Sequence, residues 1–195
     1  MMKKIVYLVH GFASPDGKGQ TDRLRPYFEE FGWEVIEWDY GFKGAAYLHA
    51  HNDEIAAELA ADMRRRAADD TYIIACGHSN GCWIIKLAAD FGAPIRQAIY
   101  IAPALNKDTG IASHVEWVHV WHSPFDLALW VAKFLPRSEW GSMGAVGYKG
   151  NDTRFLNYNR STYRIRSLFH LDVFSKKQLD YFAPLFIGEV ESRIK

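Results

Sequence analysis

The chain has 195 residues, enough for one compact domain with a sizeable core. Apolar residues make up 49% and charged residues 24%, an ordinary balance for a soluble protein. Formal net charge is zero, so overall charge draws the chain to neither nucleic acid nor an anionic membrane, and no nucleic-acid partner is expected.

In chain order, Ile5-Val6-Tyr7-Leu8-Val9 is a continuous apolar run rich in β-branched residues, which predicts a strand buried on both faces of a parallel sheet. Met1-Met2-Lys3-Lys4 before it does not make a signal peptide, because the apolar run is too short. No stretch is long and apolar enough to span a bilayer, and a soluble cytoplasmic protein is expected. The strand ends in His10-Gly11-Phe12, and glycine and lysine follow in 13–20. A phosphate-binding loop fails on spacing: Gly11 and Gly17 are separated by five residues rather than four, and Lys18 precedes Gly19 instead of Ser or Thr.

A helix is predicted over 21–31, with Leu24, Phe28 and Phe31 on one side and Gly32 as the stop. A strand over 33–38 leads to an aromatic, glycine-containing loop over 39–51. The clearest helix is 52–68, with Ile55, Leu59 and Met63 spaced by four and Arg64-Arg65-Arg66 as a solvated face. Then comes Tyr72-Ile73-Ile74-Ala75-Cys76-Gly77-His78-Ser79-Asn80-Gly81, an apolar run followed by Gly-x-Ser-x-Gly and a helical pattern over 81–91. Read physically, it is a buried strand, a very tight turn and a helix. Gly77 and Gly81 carry no Cβ, so the strand and helix can approach closely and lift Ser79 above the sheet beside a helix N-terminus. The bland alternative is a glycine-rich turn with Ser79 as an N-cap. Cys76 and Cys82 lie in the same unit without Cys-x-x-Cys spacing and read as small buried hydrophobes.

Strands are predicted over 97–102 and 115–121, the second ending in His122-Ser123-Pro124-Phe125-Asp126, with a helix over 127–135. Residues 136–159 are irregular, apart from a candidate strand near 155–158. Tyr163 and Ile165 alternating with Arg164 and Arg166 predict a last strand over 160–167, with His170 just beyond. A closing helix from 175 carries Leu179, Phe182 and Phe186, and Pro184 is expected to kink or shorten it. Alternating strands and helices predict a doubly wound, mostly parallel α/β sheet in a single domain over 1–195, without repeat, linker or cap-sized insertion.

His10-Gly11, Gly77-His78-Ser79-Asn80-Gly81, Asp126 and His170 together resemble the α/β-hydrolase superfamily, in a compact form without a large cap domain. The resemblance implies a serine hydrolase acting by acyl transfer on a small carboxylic ester or thioester, with no metal or organic cofactor. In this superfamily the chain order is serine, acid, histidine. Ser79 is then the nucleophile. Of the eight histidines only His170 follows a late strand, so it becomes the base. Asp126 becomes the acid, with Asp108 and Asp152 as rivals and a helix N-cap as its structural alternative. The backbone N–H groups of Phe12 and Asn80 are the implied oxyanion donors, and His10 is a histidine that fixes its loop. His10, Tyr40, Phe42, Trp83, Phe125 and Trp130 are candidates for the substrate mouth, unless they are core. An amidase or peptidase, or a catalytically silent binding module, stays open on the same fold. Oligomeric state is not legible.

Overall fold

The structure, a computed structural model, describes residues 2–11, 14, 18–41, 51–126, 141–163 and 170–194. Its strands are β1 (Lys3–Val9), β2 (Glu34–Trp38), β3 (Thr71–His78), β4 (Ile95–Ile101), β5 (Trp117–His122) and β6 (Phe155–Asn159). They form one parallel sheet in the order β2-β1-β3-β4-β5-β6. The helices are α1 (Arg25–Glu30), α2 (Asn52–Arg66), α3 (Asn80–Asp90), the single turn α4 (Met143–Val146) and α5 (Lys176–Glu191).

Both faces of the sheet are covered, which is why its central strands are mostly apolar. Side chains alternate across a strand. From β1, Ile5, Tyr7 and Val9 pack with Ile55, Leu59 and Met63 of α2 and Ile84, Ile85 and Ala88 of α3. Val6 and Leu8 point the other way, into a cluster with Phe28 of α1 and Leu179, Phe182 and Phe186 of α5. Each such aliphatic side chain contributes roughly 1.5–3 kcal/mol on burial, well above the roughly 0–1 kcal/mol of an exposed ion pair. These two clusters therefore hold the fold. Because β2 lies on one side of β1 and β3 on the other, the strand order reverses direction at β1. Ligands of open α/β sheets bind beyond the strand ends at such a point.

The expected helix over 21–31 divides into a 3₁₀ turn, Thr21–Leu24, and α1, with Pro26 in the first turn, where its missing N–H costs nothing. Within the 64–66 run, Arg65 and Arg66 bond Asp62, which accepts the Tyr7 hydroxyl at 2.7 Å. Pro184 does not end α5, which continues to Glu191. The strand expected over 160–167 requires a correction in its first part: Arg160–Tyr163 is a 3₁₀ turn, 164–169 lie outside the described residues, and the last strand among those described is β6, Phe155–Asn159. β6 is the sheet's edge. Its Asn157 side chain accepts the Tyr148 N–H at 2.7 Å and donates to the Tyr148 carbonyl at 3.0 Å, so an asparagine that disfavours strands stands in for a neighbouring one. The helix expected over 127–135 also lies outside the described residues. Among those described, no helix is long and apolar enough to cross a membrane.

In the middle of the sheet Gln97 donates to the Tyr72 hydroxyl at 2.9 Å and the Val190 carbonyl at 3.2 Å. Its carbonyl oxygen then accepts from Nε2–H of His119 at 2.8 Å. Burial pushes His119 down to about 3, with Arg193 adding to the shift. Unfolded, the same imidazole takes up a proton near its ordinary 6.5. Between those values unfolding binds a proton, so stability is fully present above 6.5 and falls as pH drops towards 3. Burial lowers His10, His78 and His122 in the same direction. Resistance to urea should therefore fall steeply in acid, with His119 contributing up to about 1.4 kcal/mol per pH unit. His119→Gln, measured from pH 4 to 7, should give a shallower slope; parallel curves would assign the proton elsewhere.

Candidate active site

At the end of β3 the chain turns into α3 through a single residue. Ser79 has φ 53° and ψ −117°, a conformation costing roughly 1–3 kcal/mol in a side-chain-bearing residue. Backbone bonds hold it there. The Ser79 N–H donates to the Ile101 carbonyl at 3.0 Å, and its carbonyl accepts from Cys82 at 3.1 Å and Ala104 at 3.2 Å. The flanking glycines are steric necessities. A Cβ on Gly77 would come within 2.7 Å of the Ile85 side chain and 2.8 Å of the Gly81 backbone, and one on Gly81 would run into the carbonyl oxygens of Val9 and His10. Ser79 occupies the N-cap position of α3, yet its hydroxyl makes no capping bond. That hydroxyl is left for other use.

Asp126 follows β5 through a turn in which its N–H donates to the Ser123 carbonyl at 3.2 Å. It is fully buried. His170, mostly buried, donates from Nδ1–H to Asp126 Oδ2 at 2.8 Å. This bond places the proton on Nδ1 and leaves Nε2 with a lone pair, as a general base needs. The His170 ring lies 4.4 Å, centroid to centroid, from that of His78, the residue before Ser79. Among the described residues no hydrogen bond joins the Ser79 hydroxyl to His170. Such bonds are often long without substrate and tighten when it binds.

His78 is a spacer in this arrangement. Its Nδ1 lies 2.9 Å from the side-chain oxygen of Gln20, which also accepts the Gly11 N–H at 2.7 Å. Burial first, then the nearby His170 and Arg160, keep it neutral. Arg160, fully buried just after β6, places Nη2 3.4 Å from Asp126 Oδ2. Sequence reasoning had no signal for it, because an arginine at the start of an alternating pattern is expected to face water.

The other expected residues separate clearly. Asn80 begins α3, and its N–H has no acceptor among the described residues; its side chain is fixed by reciprocal bonds to Asn52 at 3.1 and 3.2 Å. His10 is buried, donates from Nδ1–H to the Gly11 carbonyl at 2.7 Å and stacks on Tyr40 at 4.0 Å, while the Tyr40 hydroxyl donates to the His10 carbonyl at 2.9 Å. Burial lowers His10 more than Gly11 and Asp39 raise it. Trp83 is half-buried against the core and Phe125 is exposed. Phe12, Phe42 and Trp130 lie outside the described residues. Asp108 is exposed on a loop, and Asp152 pairs with Arg154 before β6, at the opposite edge of the sheet from Ser79. No cluster of three His, Cys, Asp or Glu side chains suited to a metal occurs among the described residues.

The parallel sheet, its strand order and the strand–serine–helix turn define the α/β-hydrolase fold. No protein-family model matches the chain, and no curated sequence matches it. Among solved structures, a metagenome-derived lipolytic enzyme is 14% identical over 98% of this chain and 95% of its own, with a TM-score of 0.60. A Thermus thermophilus protein is 14% identical over 100% and 91%, at 0.58. A Xanthomonas campestris protein placed among the hydrolases of the alpha/beta superfamily is 15% identical over 95% and 99%, at 0.52.

The glycine contacts give a paired prediction. Gly81→Ala forces β1 and α3 apart and should cost more than 2 kcal/mol, within the range of overpacking at a rigid contact. Gly188→Ala, in α5 with open space around it, should instead stabilise by roughly 0.5–1 kcal/mol. Denaturant midpoints of the two variants should move in opposite directions.

Proposed function

We propose that the protein is a serine hydrolase that cleaves a small carboxylic ester or thioester by acyl transfer. The observation that carries this reading is the Asp126–His170 hydrogen bond beyond the carboxyl ends of the strands, where Ser79 tops its strained turn. Serine needs a neighbouring base to attack a carbonyl. His170 Nε2 takes the Ser79 proton as Oγ bonds to the carbonyl carbon. Asp126 holds the ring and stabilises the imidazolium. The Asn80 and Phe12 N–H groups receive the oxyanion, at about 3–4 kcal/mol per donor. The proton then passes to the leaving alcohol or thiol as its bond to the carbonyl carbon breaks. Water, deprotonated by His170, releases the acid and returns the proton to Ser79.

The lipolytic structural neighbour supports hydrolysis by analogy of fold only. A half-buried Trp83 and an exposed Phe125 favour an apolar acyl or alcohol group over a charged one. A second reading, a silent binding module, draws on the missing Ser79–His170 hydrogen bond among the described residues.

A fluorophosphonate probe separates the two. The wild type should be labelled at Ser79 and should hydrolyse a p-nitrophenyl ester. Ser79→Ala should lose both, while His170→Ala should lose labelling as well as turnover. Asp126→Asn should lose on the order of 10⁴ in turnover, as in the serine protease case. Unlabelled wild-type protein would put the binding module ahead.

A further inference from the structure

Arg160 is a fully buried cation next to the acid of the site. Its Nη2 shares Asp126 Oδ2 with His170: 3.4 Å to the guanidinium and 2.8 Å to the imidazole Nδ1. Both Arg160 and Asp126 have no exposed surface. Asp126 Oδ1, Arg160 Nε and Arg160 Nη1 are all buried without a partner among the described residues. A guanidinium cannot shed its proton in a protein. Protonating Asp126 would therefore strand a lone cation in the interior, one of the most destabilising arrangements available. The pair is neutral only while Asp126 is ionised.

The consequence falls on His170. The charged and titratable groups around its ring, among the described residues, are Asp126 from the turn after β5, Arg160 from the turn after β6 and His78 from the end of β3. Asp172 lies two residues further along its own segment. His78 is held neutral by its burial, so it adds no charge of its own to the group. A proton added to His170 thus gives the Asp126–Arg160–His170 group a net positive charge, because Arg160 already balances Asp126. Beside a lone carboxylate the same proton would complete an ion pair.

We propose that Arg160 is a positioning residue of the acid–base pair, holding Asp126 ionised and weakening the hold of the Asp126–His170 pair on a proton, so that the base stays available into mildly acid solution. This rests on the assignment of His170 and Asp126 made above. Arg160 touches neither substrate nor Ser79 in this scheme. It acts through the carboxylate, and its signature is a displaced pH profile rather than a scaled rate.

The test compares the wild type with Arg160→Met, which keeps the apolar stem and removes the charge, and Arg160→Lys, which keeps a charge. For hydrolysis of a p-nitrophenyl ester, the acid limb of kcat/KM should move to higher pH in Arg160→Met. A shift of about one pH unit or more is expected, as for loss of a charge a few ångström away in a partly screened interior. Arg160→Lys should stay near the wild-type midpoint. It also covers the case in which the methionine variant does not fold, since a displaced midpoint in the lysine variant would itself overturn the proposal. A rate lowered uniformly in Arg160→Met, with the midpoint unmoved, would make Arg160 merely structural. The same comparison by proton NMR of the His170 ring needs no turnover. A shift there in a protein that hydrolyses nothing would retain the electrostatic role and discard the hydrolase reading, whereas no shift in an active enzyme would do the reverse.

Discussion

The carbonyl oxygens of Val9 and His10 occupy the space where a side chain on residue 81 would begin. That contact brings α3 hard against the end of β1, and the remaining geometry of the site follows from it. It sets the sharp turn at Ser79 and puts the His10–Gly11 loop alongside the serine. The strain is shared with the next strand. Ala102, after β4, also has a positive φ, of 47°, and Ala104 two residues on donates to the Ser79 carbonyl. Two adjacent strands end in costly conformations that support one another, as expected where a rigid core over-determines a functional turn.

The two ends of the sheet use buried polar groups differently. Beyond the carboxyl ends, Gln20, His78, His170, Asp126 and Arg160 form a line of contacts in which several atoms have no partner among the described residues. At the opposite end Arg154 is saturated. It grips Asp152 with two nitrogens and the carbonyls of Ile111, Ala112 and Val115. A saturated network fixes a loop, whereas each buried donor or acceptor left unpaired carries a desolvation cost.

What the sequence revealed follows from how local each cause is. β1, β3, β4 and β5 are largely buried on both faces, so most of their residues are apolar and the strands are readable. The elbow was readable because its steric demand falls on Gly77 and Gly81, close to Ser79 in sequence. Chain order singled out Asp126 and His170, 44 positions apart, and the structure joins the two by a hydrogen bond. β6 could not be fixed, since its stability comes from one neighbouring strand and from the Asn157–Tyr148 bonds. The run from Arg160 imitated an amphipathic strand because alternation assumes that an arginine faces water. Arg160 instead faces a carboxylate 34 positions earlier in the chain, a relation that no periodicity encodes.

With zero net charge, two copies of this protein meet without long-range repulsion. Protection against uncontrolled association must then be local, and β2 supplies it at one margin of the sheet. Glu34 is tied to Lys3 and Arg66, and Glu37 to Arg25, so the outer strand is fringed with hydrated charge of both signs. A second copy adding its own strand there would have to strip water from these groups while offering nothing better in return. Such a fringe discourages sheet-to-sheet polymerisation and fibre growth, leaving the opposite, asparagine-bearing margin as the side from which aggregation would have to start.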